Sequence, residues 1–476
     1  MVDAWGILQR GVRMWMISIS AAFAATVQIA PGEDWCSAAN SAAPGDEIVL
    51  NAGEHDGPCV LRASGVTVRG DGSLPHIVYP GASSNVIDVE ASDVTLAGLW
   101  IGPTQPNIDG VKVKSGNDVH ITGCLFDQVG GISISANSSD STGTQIVDNH
   151  FDDLQATGIY LGCHDGSCRA ADFLIADNLI DGVVSSGVGY GIETKLNSYG
   201  VIRDNVIHDT QGPGIEVFGS EDLGAVTVVE QNYVVGSTNN GALEIGGGPA
   251  LVRNNIVVGG NAGGIYAYDY GGRGLQREVQ ILGNTVIGTV GEAIRVSSWE
   301  GGVGLVIANN AAWQESGSGP ALPTDISGVD MTTNTACEPG CWEDASATNF
   351  NPASLSPGTS GYDMPVDFCG TTRADPPMQG AVEGDGPPSL PIDFKASFDC
   401  SAGTGGGTTP SGDDDDDDDD DESTDEAEGD DLEGSAGGCG CATPSGHTGW
   451  LFVFSGWVVA FRGRRRWASS DAPRRP

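Results

Sequence analysis

Three glutamates and one lysine stand at equivalent places along the chain and could carry out acid–base chemistry. Glu193, Glu216 and Glu244 each follow a small residue and an aliphatic one, and Lys195 lies two residues after the first glutamate. Two carboxylates can hydrolyse a glycosidic bond when they are about 5 Å apart for retention or roughly 6.5–9.5 Å apart for inversion. A lysine whose pKa is lowered can instead serve as a base, although a neighbouring carboxylate acts against that lowering. The sequence therefore indicates these four residues as catalytic candidates.

Aromatic and cationic residues recur near the same positions and could bind a glycan. Aromatic rings combine a large apolar face with, in Tyr and Trp, a polar group that can hydrogen-bond. The candidate substrate-binding residues are Tyr160, Phe218, Tyr266, Tyr268, Arg295 and Trp299. The alternative is an ordinary exposed sheet surface, on which aromatic and charged side chains stack as cross-strand pairs. The sequence leaves both interpretations open.

The element that must position these residues is a repeat marked by asparagine. The repeated positions are Asn149, Asn178, Asn205, Asn232, Asn255, Asn284 and Asn310, separated by 29, 27, 27, 23, 29 and 26 residues. Each period holds short β-branched runs with alternating polarity, broken by Gly, Asn and Asp, which is typical of strands. Stacked coils would place equivalent residues about 4.8 Å apart. We expect the stacked Asn side chains to hydrogen-bond as a ladder.

A second register predicts where side chains point. A small residue followed by an aliphatic one occurs once per coil, and an inward aliphatic side chain means that the next residue points outward. The expected outward row is Lys112, Ser133, Tyr160, Glu193, Glu216, Glu244, Tyr266 and Arg295. We expect this row to form one solvent-facing sheet surface.

The repeat over residues 26–382 resembles the pectin-lyase-like superfamily of right-handed parallel β-helices. The opening is similar as well, because a short amphipathic segment from Trp35 precedes a Pro44-Gly45-Asp46 turn into the first strand. The resemblance implies an all-β, single-stranded right-handed parallel β-helix that forms one domain, with an N-terminal helix capping the open end of the core. β-Helix lyases of this superfamily use a Lys or Arg base together with calcium or another neutralising group on a uronate carboxylate, so the resemblance leaves Ca²⁺ as a candidate cofactor. Nothing in the sequence requires a cofactor, and no metal ligands are assigned.

Eleven cysteines are compatible with disulfides in an exported chain. The expected pairs are Cys36–Cys59, Cys163–Cys168, Cys337–Cys341 and Cys369–Cys400. Cys124 is left over, and its phase in the repeat places it in the core. A metal site is the alternative for the Cys163–Cys168 segment, which also contains His164 and Asp165, although a zinc site needs four ligands.

The N-terminus has the pattern of a signal peptide. Arg10 and Arg13 precede an apolar stretch that ends in Ala22-Phe23-Ala24, the small-x-small form that a signal peptidase requires. We therefore expect residues 1–25 to be removed during export.

The C-terminal part has two further segments. Residues 383–438 form a Gly- and Asp-rich linker that is expected to be disordered, since like charges at this density repel. Within residues 439–476, Cys439 and Cys441 precede a short apolar stretch, a marginal transmembrane helix, and then an arginine cluster. This order resembles the C-terminal sorting signal of myxobacterial surface proteins, which implies cleavage near one of the two cysteines by a sorting protease in the membrane. A plain tail anchor is the alternative.

The charge balance excludes one class of partner and leaves three classes of function. Lys and Arg number 21 against 64 Asp and Glu, a net charge of −43, which argues against nucleic acid because cationic contacts to phosphate dominate such binding. The remaining classes are a polysaccharide lyase or hydrolase, a non-catalytic glycan-binding surface, and a structural or adhesive rod. In each case we expect an exported monomer at the cell envelope or cell surface, acting on or beside extracellular polysaccharide.

Overall fold

A computed structural model describes residues 24–384, except for 186, 221, 223, 270–275, 300–301, 318 and 346–348. All of these residues belong to one compact unit, Met1–Thr409. The described chain is a right-handed parallel β-solenoid of about 10 turns, as expected from the repeat. The predicted signal peptide lies almost wholly outside the described residues, and the acidic linker beyond residue 384 and the sorting tail lie outside them as well. Among the described residues, no helix has the length and apolar character needed to cross a membrane.

Most coils contribute one strand to each of three parallel sheets, here named A, B and C in the order in which the chain visits them. Sheet A contains Thr26–Ile29, Glu47–Leu50, Thr67–Gly70, Thr95–Ala97, His120–Thr122, Gln145–Val147, Ala170–Ala176, Tyr199–Arg203, Thr227–Glu230, Ala250–Arg253, Val279–Leu282, Val306–Ala308 and Asp330–Thr332, with Ser141–Thr142 paired to Ala170–Ala176. Sheet B contains Glu54–Asp56, His76–Val78, Trp100–Ile101, Leu125–Asp127, His150–Leu154, Leu179–Val183, Val206–Thr210, Tyr233–Ser237, Ile256–Val258, Thr285–Val290, Ala311–Ser316 and Thr335–Ala336. Sheet C contains Cys59–Leu61, Ile87–Glu90, Val111–Ser115, Ile134–Ala136, Ile159–Leu161, Ile192–Thr194, Ile215–Val217, Leu243–Ile245, Ile265–Ala267 and Ile294–Val296.

The remaining elements are short. An α-helix spans Trp35–Ser41, where the sequence indicated one, and it buries Trp35 and Ala39. Asp34 is its N-cap and accepts a hydrogen bond from the Ser37 backbone N–H at 2.9 Å. Its role as an end cap stays a prediction. A 3₁₀ helix at Pro339–Cys341 precedes an antiparallel pair, Trp342–Asp344 with Asn349–Pro352.

The turn between sheets A and B carries the expected asparagine ladder. The Asn205 side-chain oxygen accepts hydrogen bonds from the Asn178 backbone N–H at 3.0 Å and from its Nδ2 at 2.9 Å. The Asn205 Nδ2 in turn donates to the Asn232 side-chain oxygen at 2.9 Å and to the carbonyls of Ile175 and Arg203. The same pattern runs from Asn149 to Asn334, so the prediction that these residues line up is confirmed.

The residue before each ladder asparagine explains the recurring Asp-Asn and Asn-Asn pairs. Asp177 has φ 58° and Asp204 has φ 55°, both in the left-handed region. Asp and Asn adopt this region more readily than most residues because their short polar side chains bond locally. One left-handed residue followed by a bonded Asn therefore makes the whole turn from sheet A to sheet B.

The last part of the chain covers the outer face of sheet B. Trp342, Phe350 and Phe368 pack against an apolar column that includes Tyr233 and Ile256. The segment is held by the nearly buried Arg373, whose guanidinium donates to the Asn254 side-chain oxygen at 2.7 Å and to Glu383 at 3.0 Å.

Three of the expected disulfides are present, namely Cys36–Cys59, Cys163–Cys168 and Cys337–Cys341. Cys369 is also disulfide-bonded, but Cys400 lies outside the described residues, so the identity of its partner stays a prediction. Cys124 is a free thiol in the core, as predicted, and burial raises its pKa to about 12. The Cys163–Cys168 segment is thus a disulfide-closed loop, which removes the thiolates that the alternative metal site required.

One register prediction was wrong. Ser133 was expected in the outward row of sheet C, but the strand is Ile134–Ala136, and Ser135 aligns with Lys112 and Tyr160. Ile132 and Ile134 both fit an inward position, and alternation with period 2 does not distinguish a strand from the same strand shifted by two residues. Ser133 is buried before the strand begins.

Replacing Asn205 with alanine should destabilise the solenoid strongly. The change removes the side-chain oxygen that accepts from the Asn178 amide hydrogens and the side-chain donor to the Ile175 and Arg203 carbonyls, at a fully buried position, which should cost about 3 kcal/mol. Urea unfolding followed by circular dichroism measures this loss. The matched control is Asn239→Ala at an exposed loop position, expected within about 0.5 kcal/mol of wild type. Equal stabilities for the two variants would show that the ladder contributes little.

Candidate active site on sheet C

The outward residues of sheet C form a single column along the solenoid. In each strand the flanking aliphatic residues, such as Ile192 on Glu193's strand, point into the core, and the residue between them points out. The strand pairing gives the column Val60, Asp88, Lys112, Ser135, Tyr160, Glu193, Glu216, Glu244, Tyr266 and Arg295. Apart from Ser133, whose place is taken by Ser135, the predicted row is therefore brought together as expected.

The centre of this column is buried rather than solvent-facing. The exposed fractions of Glu193, Lys195, Glu216 and Glu244 are 2%, 4%, 1% and 3%. Tyr160, Tyr266 and Tyr268 are half-buried beside them and form the rim of the group. The structure thus corrects the expectation of an open surface, because neighbouring aromatic side chains and turns shield the charged residues from water.

Lys195 is fully engaged by its neighbours. Its ammonium group is ion-paired with the Glu193 carboxylate. The same nitrogen lies 4.2 Å from the centre of the Phe218 ring and 5.0 Å from that of Tyr160, within the range of cation–π contact. Burial raises the pKa of Glu193, and the Lys195 charge opposes that rise. Lys195 and Glu193 therefore form a buried, mutually neutralised pair.

Glu216 and Glu244 are adjacent carboxyl groups in different environments. They pair in register on neighbouring parallel strands, which lie about 4.8 Å apart. Burial raises the pKa of Glu216 well above its usual range, and the nearby Glu244 carboxylate raises it further. Glu244 accepts hydrogen bonds from the Gly241 backbone N–H and the Tyr268 hydroxyl, both at 2.8 Å. The pair thus combines a carboxyl group whose pKa is raised with a second carboxyl group that accepts hydrogen bonds from two donors.

The aromatic candidates separate into exposed and buried groups. Tyr266 and Tyr268 stack with ring centroids 4.5 Å apart, and the Arg295 guanidinium lies 4.5 Å from the centre of the Tyr266 ring. Phe218 and Trp299 are each only 1% exposed. The prediction that these two residues lie on an open binding face was therefore wrong, since Trp299 packs with the core and Phe218 is covered where it contacts Lys195.

The sequence missed Gln276, which links these aromatic residues. Its Oε1 accepts a hydrogen bond from Trp299 Nε1 at 3.0 Å, and its Nε2 donates to the backbone carbonyls of Gly246 and Tyr268. Gln276 lies between repeat strands, in a segment without the repeat pattern, so no periodic signal marked it.

A groove of about 420 Å³ lies beside the Tyr266 end of the column. Asn261, Glu292 and Arg295 contribute its polar side chains. The Arg295 Nε lies 3.4 Å from the Glu292 carboxylate, so the cation in this groove is already paired. The groove extends the outer face of sheet C beyond the glutamates.

Among the described residues, one group places three metal-binding side chains close together. The ligand atoms of Asp181, His208 and Asp209 all lie within 4.8 Å of one another, on sheet B rather than sheet C. His208 Nδ1 is 3.2 Å from Asp181 Oδ1 and 3.3 Å from Asp209 Oδ2, so direct contacts account for the arrangement without an ion. The sequence assigned no metal ligands and did not mark this group, because its members come from different coils.

Comparison with known families gives one match. The family described as "Right handed beta helix region" matches residues 77–257 and 189–336, which together span 260 of the 476 residues. No curated protein sequence matches the chain.

Solved structures with a similar course of the chain include several polysaccharide-active proteins. Pectate lyase Pel9A has a TM-score of 0.43 at 14% identity, covering 76% of this chain and 97% of that one. An alginate lyase from Paenibacillus sp. str. FPU-7 has a TM-score of 0.38 at 16% identity, covering 65% and 99%. The catalytic unit of an α-1,3-glucanase from Streptomyces thermodiastaticus has a TM-score of 0.39 at 14% identity, covering 66% and 69%. At this level of likeness the function has to be inferred from the site itself.

The raised pKa of Glu216 should make the stability of the fold depend on pH. In the unfolded chain a glutamate titrates at about 4.3, so between that value and the raised pKa the folded state binds more protons than the unfolded state. The free energy of unfolding should therefore fall as pH rises through this window. Glu216→Gln removes the titrating group. The urea midpoint of this variant should therefore rise relative to that of wild type as the pH is raised from about 5 to about 8.

The control for this titration is Glu54→Gln, which changes an exposed glutamate on sheet B. Its difference from wild type should stay constant with pH. A constant difference for Glu216→Gln as well would contradict a protonated Glu216 in the folded chain.

Proposed function

Since the chain belongs to the right-handed β-helix family, we propose a function that uses the outer face of sheet C, the hydrolysis of an extracellular polysaccharide. The observation that carries this proposal is the Glu216–Glu244 pair, in which burial and a like charge raise the pKa of one carboxyl beside a second, hydrogen-bonded carboxylate. Glycoside hydrolysis requires such a pair, with one group protonated and the other ionised.

The proposed roles follow from the two environments. Glu216 donates its proton to the glycosidic oxygen as the bond from that oxygen to the anomeric carbon breaks. The Glu244 carboxylate, steered by Tyr268, attacks the anomeric carbon, and a water molecule later releases the sugar while Glu216 accepts its proton. The two carboxyl groups lie close enough to interact through a hydrogen bond, which favours this double displacement, with its separation of about 5 Å and retained configuration, over inversion at roughly 6.5–9.5 Å.

A lyase mechanism fits the site less well. A base must be free to take a proton from the sugar, and the Lys195 ammonium is instead ion-paired with Glu193 beneath two aromatic rings. Lys195 and Glu193 are better suited to position Glu216 and to limit the charge of the buried group. The proposed chemistry uses no metal ion or cofactor.

Access to the pair requires movement at the rim. Both carboxyl groups are almost fully shielded, and Tyr268 is bonded to Glu244 at 2.8 Å. Tyr160, Tyr266 and Tyr268 are half-exposed, so they are the side chains that a sugar meets first. Closure of an active site around its substrate excludes water and commonly completes the catalytic geometry.

A second candidate, non-catalytic glycan binding, is favoured by one observation. The stacked Tyr266 and Tyr268 rings and the adjacent Arg295 lie at the accessible end of the column, whereas the glutamates are covered. Binding at these rings would need no reaction at the glutamates. The two candidates therefore differ in what substitution of a glutamate does.

The proposed setting is outside the cell. Three disulfides are typical of exported proteins. The signal peptide predicted for residues 1–25 supplies export, and the tail with Cys439 and Cys441 supplies attachment at the cell envelope through a membrane segment and a sorting protease. The polysaccharide partner, the attachment and the monomeric state all belong to this proposal.

Glu216→Gln and Glu244→Gln should each abolish most of the hydrolysis. Loss of a general acid or of its carboxylate partner typically lowers the rate about 10²- to 10⁴-fold. The full-length chain is incubated with a panel of polysaccharides, and new reducing ends are counted. The matched control is Glu90→Gln. Glu90 lies on the same sheet and is ion-paired with Arg62 at the surface, so the rate of hydrolysis by this variant should stay within about twofold of wild type.

Two results separate the candidates. Release of reducing ends that disappears in both glutamate variants supports hydrolysis. No release by wild type, together with equal retention of wild type and Glu216→Gln on a glycan affinity gel, would instead establish a binding protein.

A further inference from the structure

The described cations on the outer face of sheet C are paired with carboxylates. Five basic side chains of the described residues lie on this face or immediately follow one of its strands. Their partners are Glu90 for Arg62 at 3.1 Å, Asp109 for Lys112 at 3.3 Å, Asp88 for Lys114 at 2.5 Å, Glu193 for Lys195, and Glu292 for Arg295 at 3.4 Å. None of these cations is therefore available to neutralise an acidic sugar.

The reverse holds for the carboxyl groups at the centre. Glu216 and Glu244 have no ion-pair partner among the described residues, and the nearest ammonium group, that of Lys195, is engaged by Glu193. An approaching uronate carboxylate would meet Glu244 in a shielded environment, where like charges repel much more strongly than in water. The charge of the whole chain, −43, adds to this repulsion.

The site is instead rich in acceptors for hydroxyl groups. Glu216 Oε1 is buried without a hydrogen-bond partner among the described residues. The groove beyond Tyr266 offers the Glu292 carboxylate and the Asn261 amide, and the Tyr266–Tyr268 stack presents an apolar face. Hydroxyl donors and an uncharged ring are what such a surface accommodates.

We propose that this cleft selects neutral polysaccharides and excludes polyuronates. The inference rests on the proposed function, because it assigns a substrate class to the same site. The specificity determinant is the set of carboxylates that already pair with the described cations of the sheet C face, so that an acidic substrate finds no unpaired cation among them.

The Arg295–Glu292 pair offers a direct way to change this selectivity. Its side chains are 44% and 35% exposed, so the pair is accessible at the end of the column. Glu292→Gln keeps the shape of the side chain and frees the arginine, whose guanidinium binds a carboxylate with two parallel hydrogen bonds. Because Glu292 lines the groove, the readout for this variant is retention on polyuronates rather than the rate of hydrolysis.

The test compares neutral and acidic polymers directly. The full-length chain is run on affinity gels that contain either neutral glucans, galactans, arabinans and xylans or polygalacturonate and alginate, and reducing-end release is measured on the same polymers. Wild type should be retained and active on at least one neutral polymer and on neither polyuronate. Glu292→Gln should raise retention on at least one polyuronate several-fold at low salt, and the double variant with Arg295→Gln should reverse that gain.

The matched control is Glu315→Gln, which changes the net charge equally at an exposed position on sheet B. Equal polyuronate retention by Glu292→Gln and Glu315→Gln would overturn the inference. Cleavage by wild type of a polyuronate and of no neutral polymer would also overturn the inference. If that cleavage is lost in Glu216→Gln, the proposal of hydrolysis at this site would still stand. Absence of cleavage on every polymer would refute the proposed function instead.

Discussion

The asparagine ladder is the interaction on which the rest of the structure depends. Each ladder side chain bonds the turn above, the turn below and its own coil, so the coils cannot slip relative to one another without breaking several buried hydrogen bonds. The ladder has a counterpart in the core, where Ile, Val and Leu side chains stack from coil to coil. Together they hold equivalent residues of neighbouring coils at one strand spacing.

That constraint creates the chemistry of sheet C. When coils stack in register, three glutamates at equivalent positions must lie one above the next, whatever the electrostatic cost. The structure limits that cost with one cation, Lys195, beside Glu193, and the burial of Glu216 next to Glu244 raises the pKa of Glu216. A repeat that makes a stable fold is therefore also able to bring like carboxyl groups close together, which few irregular surfaces would tolerate.

Much of this arrangement could be predicted from the sequence because it repeats. The period of the repeat predicted the asparagine ladder, the column of residues on sheet C and the core position of Cys124. The spacing of the cysteines predicted three of the disulfides. The burial of Glu193, Phe218 and Trp299 could not be predicted in this way. Burial depends on irregular turns that fold over the sheet, and such turns carry no periodic signal, as the missed contact of Gln276 illustrates.

The shift from Ser133 to Ser135 has a related cause. Alternation predicts which residues share a face of a strand but not where the strand starts. Because Ile132 and Ile134 both fit an inward position, the sequence allowed two registers for this strand. Only pairing with the neighbouring coils distinguishes them. The same coil-to-coil pairing is what decides whether Glu216 and Glu244 are neighbours at all.

The protonation of Glu216 near neutral pH is the most direct test of the account. Infrared difference spectroscopy of wild type against Glu216→Gln, repeated after ¹³C labelling, detects the carbonyl stretch of a protonated carboxyl group. We predict that wild type shows this band near neutral pH and that the variant lacks it. Spectra in which every glutamate is ionised at that pH, with no such band lost on substitution, would contradict the assignment of Glu216 as the acid.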